Sequence, residues 1–197
     1  MVELQHRPGG VPELTQFLQQ HPNADISLWN DQRFQPVKQR VKAALNQDQQ
    51  GLCVYCERLL TATEGQLEHI KPKSGTNGQP ALCFTYTNYA HGCINPQTCG
   101  QKKKDGLLPI EPGPGCNKQW TLSTTDGSLQ PVEGLTRRER HQVTQTRDML
   151  GLNKDSTLVA DRQRWLNSAL EVLKNQPEQL DLFLNQSPFR HLLATVL

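Results

Sequence analysis

Apolar residues recur at helical spacing at both ends of the chain and lose that rhythm in the middle. Between Val11 and Asn46, Pro12, Leu14 and Leu18 mark a first short helix. Phe34, Val37, Val41, Ala44 and Leu45 then return every three or four residues, giving one apolar stripe with Lys38, Arg40 and Lys42 mostly off it. Such a stripe predicts core packing. From Leu135 to Leu197 the rhythm resumes. Thr136 and Glu139 spell a T-x-x-E capping box, and Gly151 suits the C-cap of that helix. Asp155 caps a second helix bearing Leu158, Val159, Trp165, Leu166, Ala169, Leu170 and Leu173, which Pro177 closes. Ser187-Pro188 starts a last short helix through Leu192, Leu193 and Val196.

The stretch from Gly51 to about Val132 has dense Gly and Pro and holds all six cysteines. Gln66 to Lys71 reads as a short strand ending at Pro72, Gly75 to Pro80 as a loop, and Asp126-Gly127 as the turn of a hairpin between Trp120–Ser123 and Leu129–Val132. A segment of this kind does not build a large core alone, and a bound metal supplies what packing lacks. The expectation is an α+β protein: an N-terminal helical arm (1–50), a metal-knuckle core (51–132) and a C-terminal helical region (133–197).

Composition narrows the classes. The 197 residues are 35% hydrophobic with a mean hydropathy of -0.65, enough for a lean core. No apolar run approaches the roughly 20 residues of a membrane helix, and Met1 to Gly10 lacks the apolar stretch of a secretory signal. A cytoplasmic protein without a membrane partner is expected. Net charge is +2, from 21 Lys+Arg against 19 Asp+Glu. That balance excludes coating nucleic acid by bulk charge, so any such role rests on local placement. Arg137, Arg138, Arg140 and Arg147, extended by Arg162 and Arg164, track a nucleic-acid backbone, pair with an acidic partner or simply solvate a helix face.

The cysteines carry the first chemical signal. Cys53-Val54-Tyr55-Cys56 is a C-x2-C knuckle, and Cys93 and Cys99 form a looser C-x5-C pair. Four thiolates suit a closed tetrahedral zinc. Cys83 and Cys116 are spare candidates, and His91 is a possible replacement for one cysteine. A redox C-x-x-C is the rival, but no thioredoxin-type βαβ pattern surrounds it. Between the knuckles lies Leu67-Glu68-His69-Ile70-Lys71-Pro72, a carboxylate directly before a histidine. On a strand these two side chains point to opposite faces. A distortion where the strand meets Pro72 lets both approach one phosphate. Thr87-Asn88-Tyr89, Gly100 and Lys102-Lys103-Lys104 follow.

The order knuckle, acidic-His-x-x-Pro, Asn, knuckle, lysine resembles the HNH (ββα-metal) nucleases. More narrowly, C-x-x-C-E, E-H-I-x-P-K-S, T-N-Y and C-G-x-K-K resemble the HNH component of Septu-type and retron-associated phage-defence systems. The resemblance covers mainly Gly51 to Pro109. The flanks agree more loosely, through a Phe-x-x-Val-Lys helix running into Gly-Leu-Cys and a Leu-Gly-Leu-Asn element before an Arg-containing helix. It implies a zinc-stapled ββα core with helices on either side, structural zinc on Cys53, Cys56, Cys93 and Cys99, and His69 as general base. It implies Glu68 as ligand of a catalytic Mg²⁺ or Mn²⁺, and Asn88 as the amide bracing the loop that positions His69. Lys71, Lys73, Lys102, Lys103 and Lys104 then lie where flanking phosphates pass.

The implied activity is hydrolysis of phosphodiester bonds in DNA or a structured RNA such as tRNA. The implied setting is a toxic effector partnered with an ABC-type ATPase and, in the retron branch, a reverse transcriptase with its RNA–DNA product. One departure stands out. The family's usual His or Asn after the last zinc cysteine is Gly100 here, so the third metal ligand passes to Asn95, Asp105, Asn117 or water. That departure also favours a second reading, a catalytically inactive zinc-knuckle nucleic-acid-binding or adaptor protein.

Overall fold

Proline preset for a first helical turn opens α1 (Pro12–Gln20), and a second proline lies in the first turn of α2 (Gln35–Asp48). Between them, Asp25 and Asp31 accept backbone amides of Ser27 and Arg33 and cap two short 3-10 turns, Ile26–Asn30 and Gln32–Phe34. Gly51, at φ +74, turns the chain out of α2, with its amide donating to the Asn46 carbonyl at 2.8 Å. The computed structural model describes residues 1–197 and is α+β.

Two short strands follow the first knuckle. β1 (Gln66–His69) pairs antiparallel with β2 (Tyr89–Gly92), with Glu68 opposite Ala90 and His69 opposite Tyr89. The chain then enters α3 (Cys99–Lys103), completing a ββα unit. A second hairpin, β3 (Trp120–Leu122) and β4 (Leu129–Pro131), forms where Asp126-Gly127 predicts it. α4 (Arg137–Met149) begins at Thr136 with the full capping box, and α5 (Ser156–Asn175) at Asp155, whose carboxylate accepts from Thr157 and Leu158. α6 (Leu180–Gln186) and α7 (Arg190–Leu193) end the chain. α6 is an element that the apolar pattern does not predict. Pro177 does end α5, but it also opens a 3-10 turn, Pro177–Gln179, that leads straight into α6.

The apolar residues gather into two clusters, and neither keeps to the 50/51 and 132/133 boundaries. One joins Met1, Val2 and Leu4 to the first knuckle, β3, β4 and the inner faces of α4, α5 and α7. The other joins α1, Trp29 and α2 to Cys83, Tyr86 and Tyr89. Gln49, buried at the end of α2, holds the ββα unit to the arm: its amide donates to the Leu52 and His91 carbonyls at 2.7 and 2.8 Å, and its oxygen accepts the His91 amide at 2.7 Å. No helix is long and apolar enough to cross a membrane.

Arg162 corrects one expectation. It does not track a nucleic-acid backbone, because it is fully buried. Its Nε donates to the Gly127 carbonyl at 2.8 Å, and Nη2 donates to Leu152 at 2.8 Å and to the Asn153 side chain at 3.1 Å. Burial lowers its pKa to about 10, and no carboxylate pairs with it. It pins the β3–β4 turn to α5. Arg162→Ala leaves those buried acceptors without a donor and is expected to cost about 3 kcal/mol, read as a lower urea midpoint with an unchanged slope.

Candidate active site

Cys53 and Cys56 lie in the tight turn after α2, Cys93 just beyond β2, and Cys99 at the first position of α3. Their sulfurs all fall within 4.8 Å of one another. The Cys53–Cys99 and Cys56–Cys93 separations are both 3.8 Å. A tetrahedral metal with bonds of about 2.3 Å to sulfur has edges of about 3.8 Å, so the four fit a structural zinc. The Cys93 amide donates to the Cys53 sulfur at 3.3 Å. Burial opposes ionising Cys53, but donors from Cys56, Cys93 and Cys99 outweigh it and hold its thiol well below the usual range. Cys83 and Cys116 lie in other parts of the core. His91 is also outside the cluster: its Nε2 donates to the Glu64 carbonyl at 2.9 Å and its Nδ1 accepts from Asn46 at 3.2 Å.

At the end of β1, His69 is buried in an aromatic box. The Trp29 ring lies 4.4 Å from it and the Tyr89 ring 5.2 Å. Its Nε2 donates to the Cys83 carbonyl at 3.0 Å, which fixes the proton there and leaves Nδ1 with the lone pair. Burial first, then the charges of Lys73, Lys103 and Lys38, lowers its pKa to about 4, and only the Cys83 hydrogen bond opposes them. The ring is therefore neutral at pH 7. Asn88 holds the loop that follows: its side-chain oxygen accepts the Lys71 amide at 2.8 Å, and its Nδ2 donates to the Lys71 and Leu82 carbonyls at 2.9 and 3.2 Å. The Asn88 carbonyl also accepts the Ile70 amide at 2.9 Å.

Glu68 and His69 line one cleft of about 480 Å³, together with Trp29, Lys73, Lys104 and Asp105. The buried Glu68 carboxylate meets the Lys103 ammonium at 3.1 Å through Oε1 and accepts the Gln66 amide at 3.2 Å through Oε2. Burial raises its pKa while the ammonium works against that rise. Gly100 lies directly beneath: a Cβ there would stand 2.1 Å from Glu68 Oε2. The glycine is the space the carboxylate occupies.

A ββα unit thus holds four clustered cysteines and a buried Glu-His pair at the end of its first strand. No protein-family model matches the chain. A protein of Vibrio cholerae serotype O1 biovar El Tor named "Retron Vc95 putative HNH endonuclease" is 46% identical over 169 residues, which span 81% of this chain and 82% of that one. The chain belongs to the HNH endonucleases of the retron-associated type. It is therefore a nuclease, and HNH nucleases depend on metal.

Within this HNH endonuclease the expected site residues divide. Glu68, His69, Lys73 and Lys104 share the cleft, and Asn88 braces the backbone at Lys71 just after His69. Lys71 points toward Glu111 at 3.9 Å, and Lys102 is exposed outside the cleft. Lys103 is not free to meet a phosphate. Its side chain is 1% exposed, and its ammonium also donates to the His69 carbonyl at 3.0 Å and the Lys104 carbonyl at 3.3 Å. Of the possible third metal ligands, Asn95 donates to Asp155 and Asn117 lies beside Glu3, both away from the cleft, whereas Asp105 lines it. A divalent ion fits this donor set: Glu68 offers a carboxylate oxygen onto a polar cleft with room for water. Trp29, from the N-terminal arm, was invisible to motif reasoning because its contact with His69 is purely tertiary.

Elemental analysis should find one zinc per chain, lost together with protease resistance in Cys53→Ser or Cys99→Ser but retained in Cys83→Ser and Cys116→Ser. Gly100→Ala should keep its zinc yet push the Glu68 carboxylate off Lys103 and Gln66, lowering turnover about a hundredfold in a cleavage assay.

Proposed function

We propose that the enzyme hydrolyses phosphodiester bonds of DNA or a structured RNA such as tRNA, with His69 as general base. The observation that carries this reading is the 3.0 Å hydrogen bond between His69 Nε2 and the Cys83 carbonyl. With the Nε2 proton held by Cys83, Nδ1 is a neutral imidazole nitrogen that makes no other hydrogen bond in the protein and belongs to a residue lining the cleft. Nδ1 would take a proton from water as the water oxygen bonds to phosphorus and the bond to the 3′ oxygen breaks, the leaving oxygen then gaining a proton from solvent. Its low basicity also lets it release that proton quickly for the next cycle. Asn88, locked to the backbone on either side of Lys71, would keep the ring from drifting. Glu68 would hold Mg²⁺ or Mn²⁺, with Asp105 and water available to complete the shell. Such an ion supplies Lewis-acid stabilisation of charge on the phosphate and leaving group. Lys73 and Lys104 would meet phosphates along the cleft.

Gly100, the one residue favouring a non-catalytic adaptor, has a structural reason that leaves the catalytic pair intact. The name of the Vibrio cholerae relative supports a retron setting. The ABC-type ATPase partner, the reverse transcriptase and the defence role rest on the resemblance alone. Leu170, Leu173 and Leu182 are exposed on the neighbouring helices α5 and α6 and suit a partner-facing surface.

The reading is tested by incubating zinc-loaded protein with plasmid DNA and total tRNA in Mg²⁺ or Mn²⁺, with and without the candidate ATPase. Wild type should degrade one substrate while His69→Ala leaves it intact, a loss of about 10³-fold. Equal cleavage by both proteins would sink the assignment of His69.

A further inference from the structure

Two lysines, Lys73 from the cleft lining and Lys38 from the helical arm, meet on the ring of Trp29, which also lines the cleft. Lys38, on α2 of the N-terminal arm, holds its ammonium 4.1 Å from the centre of the Trp29 ring. Lys73, in the loop after β1, reaches the same ring at 5.4 Å. Trp29 itself packs on His69 at 4.4 Å. Neither lysine takes part in any salt bridge of the protein. Both are half-buried. The molecule thus holds two like charges, partly stripped of water, on one aromatic ring beside the proposed base. Burial and the charge of Lys73 depress the pKa of Lys38, so the two ammoniums oppose each other at rest. The ring face offsets some of that cost. A bound anion would offset the rest.

We infer that Lys38 and Lys73, converging on Trp29, form a seat for a backbone phosphate of the nucleic acid next to the one being cut. The helical arm would then be part of the substrate site and not only a cover for the core. This inference rests on the nuclease reading and adds a second phosphate contact from an element with no HNH motif. The ligand class is a phosphodiester backbone of either nucleic acid, because an ammonium reads charge and not base identity. Lys38 projects from the regular helix α2, with its ammonium over the Trp29 ring. Methionine in its place keeps an unbranched stem on the ring while removing the charge.

The test is binding of fluorescent duplex DNA and of labelled tRNA to the full zinc-loaded chain without added divalent ion, across a KCl series. One phosphate contact contributes about 0.9 to the slope of log K against log salt for duplex DNA. Lys38→Met and Lys73→Met are each expected to flatten the slope by about that amount and to weaken binding severalfold at low salt. Lys38→Glu should weaken it further. Lys174→Met, a surface charge on α5, should leave the slope unchanged. Wild-type slope and affinity in Lys38→Met and Lys38→Glu would overturn the seat while leaving the nuclease reading in place. A wild-type chain that binds neither nucleic acid would count against both.

Discussion

The geometry of this enzyme hangs from the meeting of four sulfurs. They join the turn after α2, the end of β2 and the first residue of α3, three places with little else in common. α3 spans five residues, too few to hold a helix in water on their own. Once Cys99 is directed at the metal position, the face of α3 is set. Gly100 then comes under the Glu68 carboxylate, and Lys103 turns inward to neutralise it. Without the staple, the two-stranded sheet and single helix turn have too little apolar surface to hold a carboxylate and an imidazole in fixed positions.

A second constraint acts on His69. The role proposed for it needs a lone pair, and burial among aromatic rings keeps one by disfavouring the imidazolium. The same burial makes the imidazole less basic. The Cys83 carbonyl opposes part of the loss and decides which nitrogen is free, and Asn88 fixes the loop on the far side. These groups come from separate stretches, and the aromatic ring packed closest on His69, Trp29, belongs to the helical arm. The arm and the ββα unit therefore line one cleft, in keeping with apolar clusters that cross the boundaries suggested by composition.

The Glu68–Lys103 contact has a related logic. A buried carboxylate with no counter-charge would be protonated at neutral pH. The ammonium keeps an ionised form within reach and leaves Oε2 with only a neutral amide. The absence of a side chain at position 100 follows from the same packing: the carboxylate lies where a Cβ would be. A residue that looks like erosion in a motif is here a requirement of the fold.

Local signals were plainly written in the chain. The capping box at Thr136, the Asp155 cap, the Asp126-Gly127 turn, the apolar stripe of α2 and the paired knuckles all depend on residues a few positions apart, so short-range chemistry determines them. The Glu68-His69 pair and Asn88 were legible for the same reason, as a string with a known resemblance. What only the tertiary structure decided involves residues far apart in sequence: Trp29 on His69, Lys38 over Trp29, Gln49 clasping β2, and Arg162 drawn inside to hold the β3–β4 turn. Charge patterns on a helix do not reveal which cation will be buried, because that depends on where unpaired carbonyls and carboxylates end up after folding. Lys103 and Arg162 went inward because such acceptors awaited them, and Lys38 stayed half-buried over Trp29 with no carboxylate paired to it.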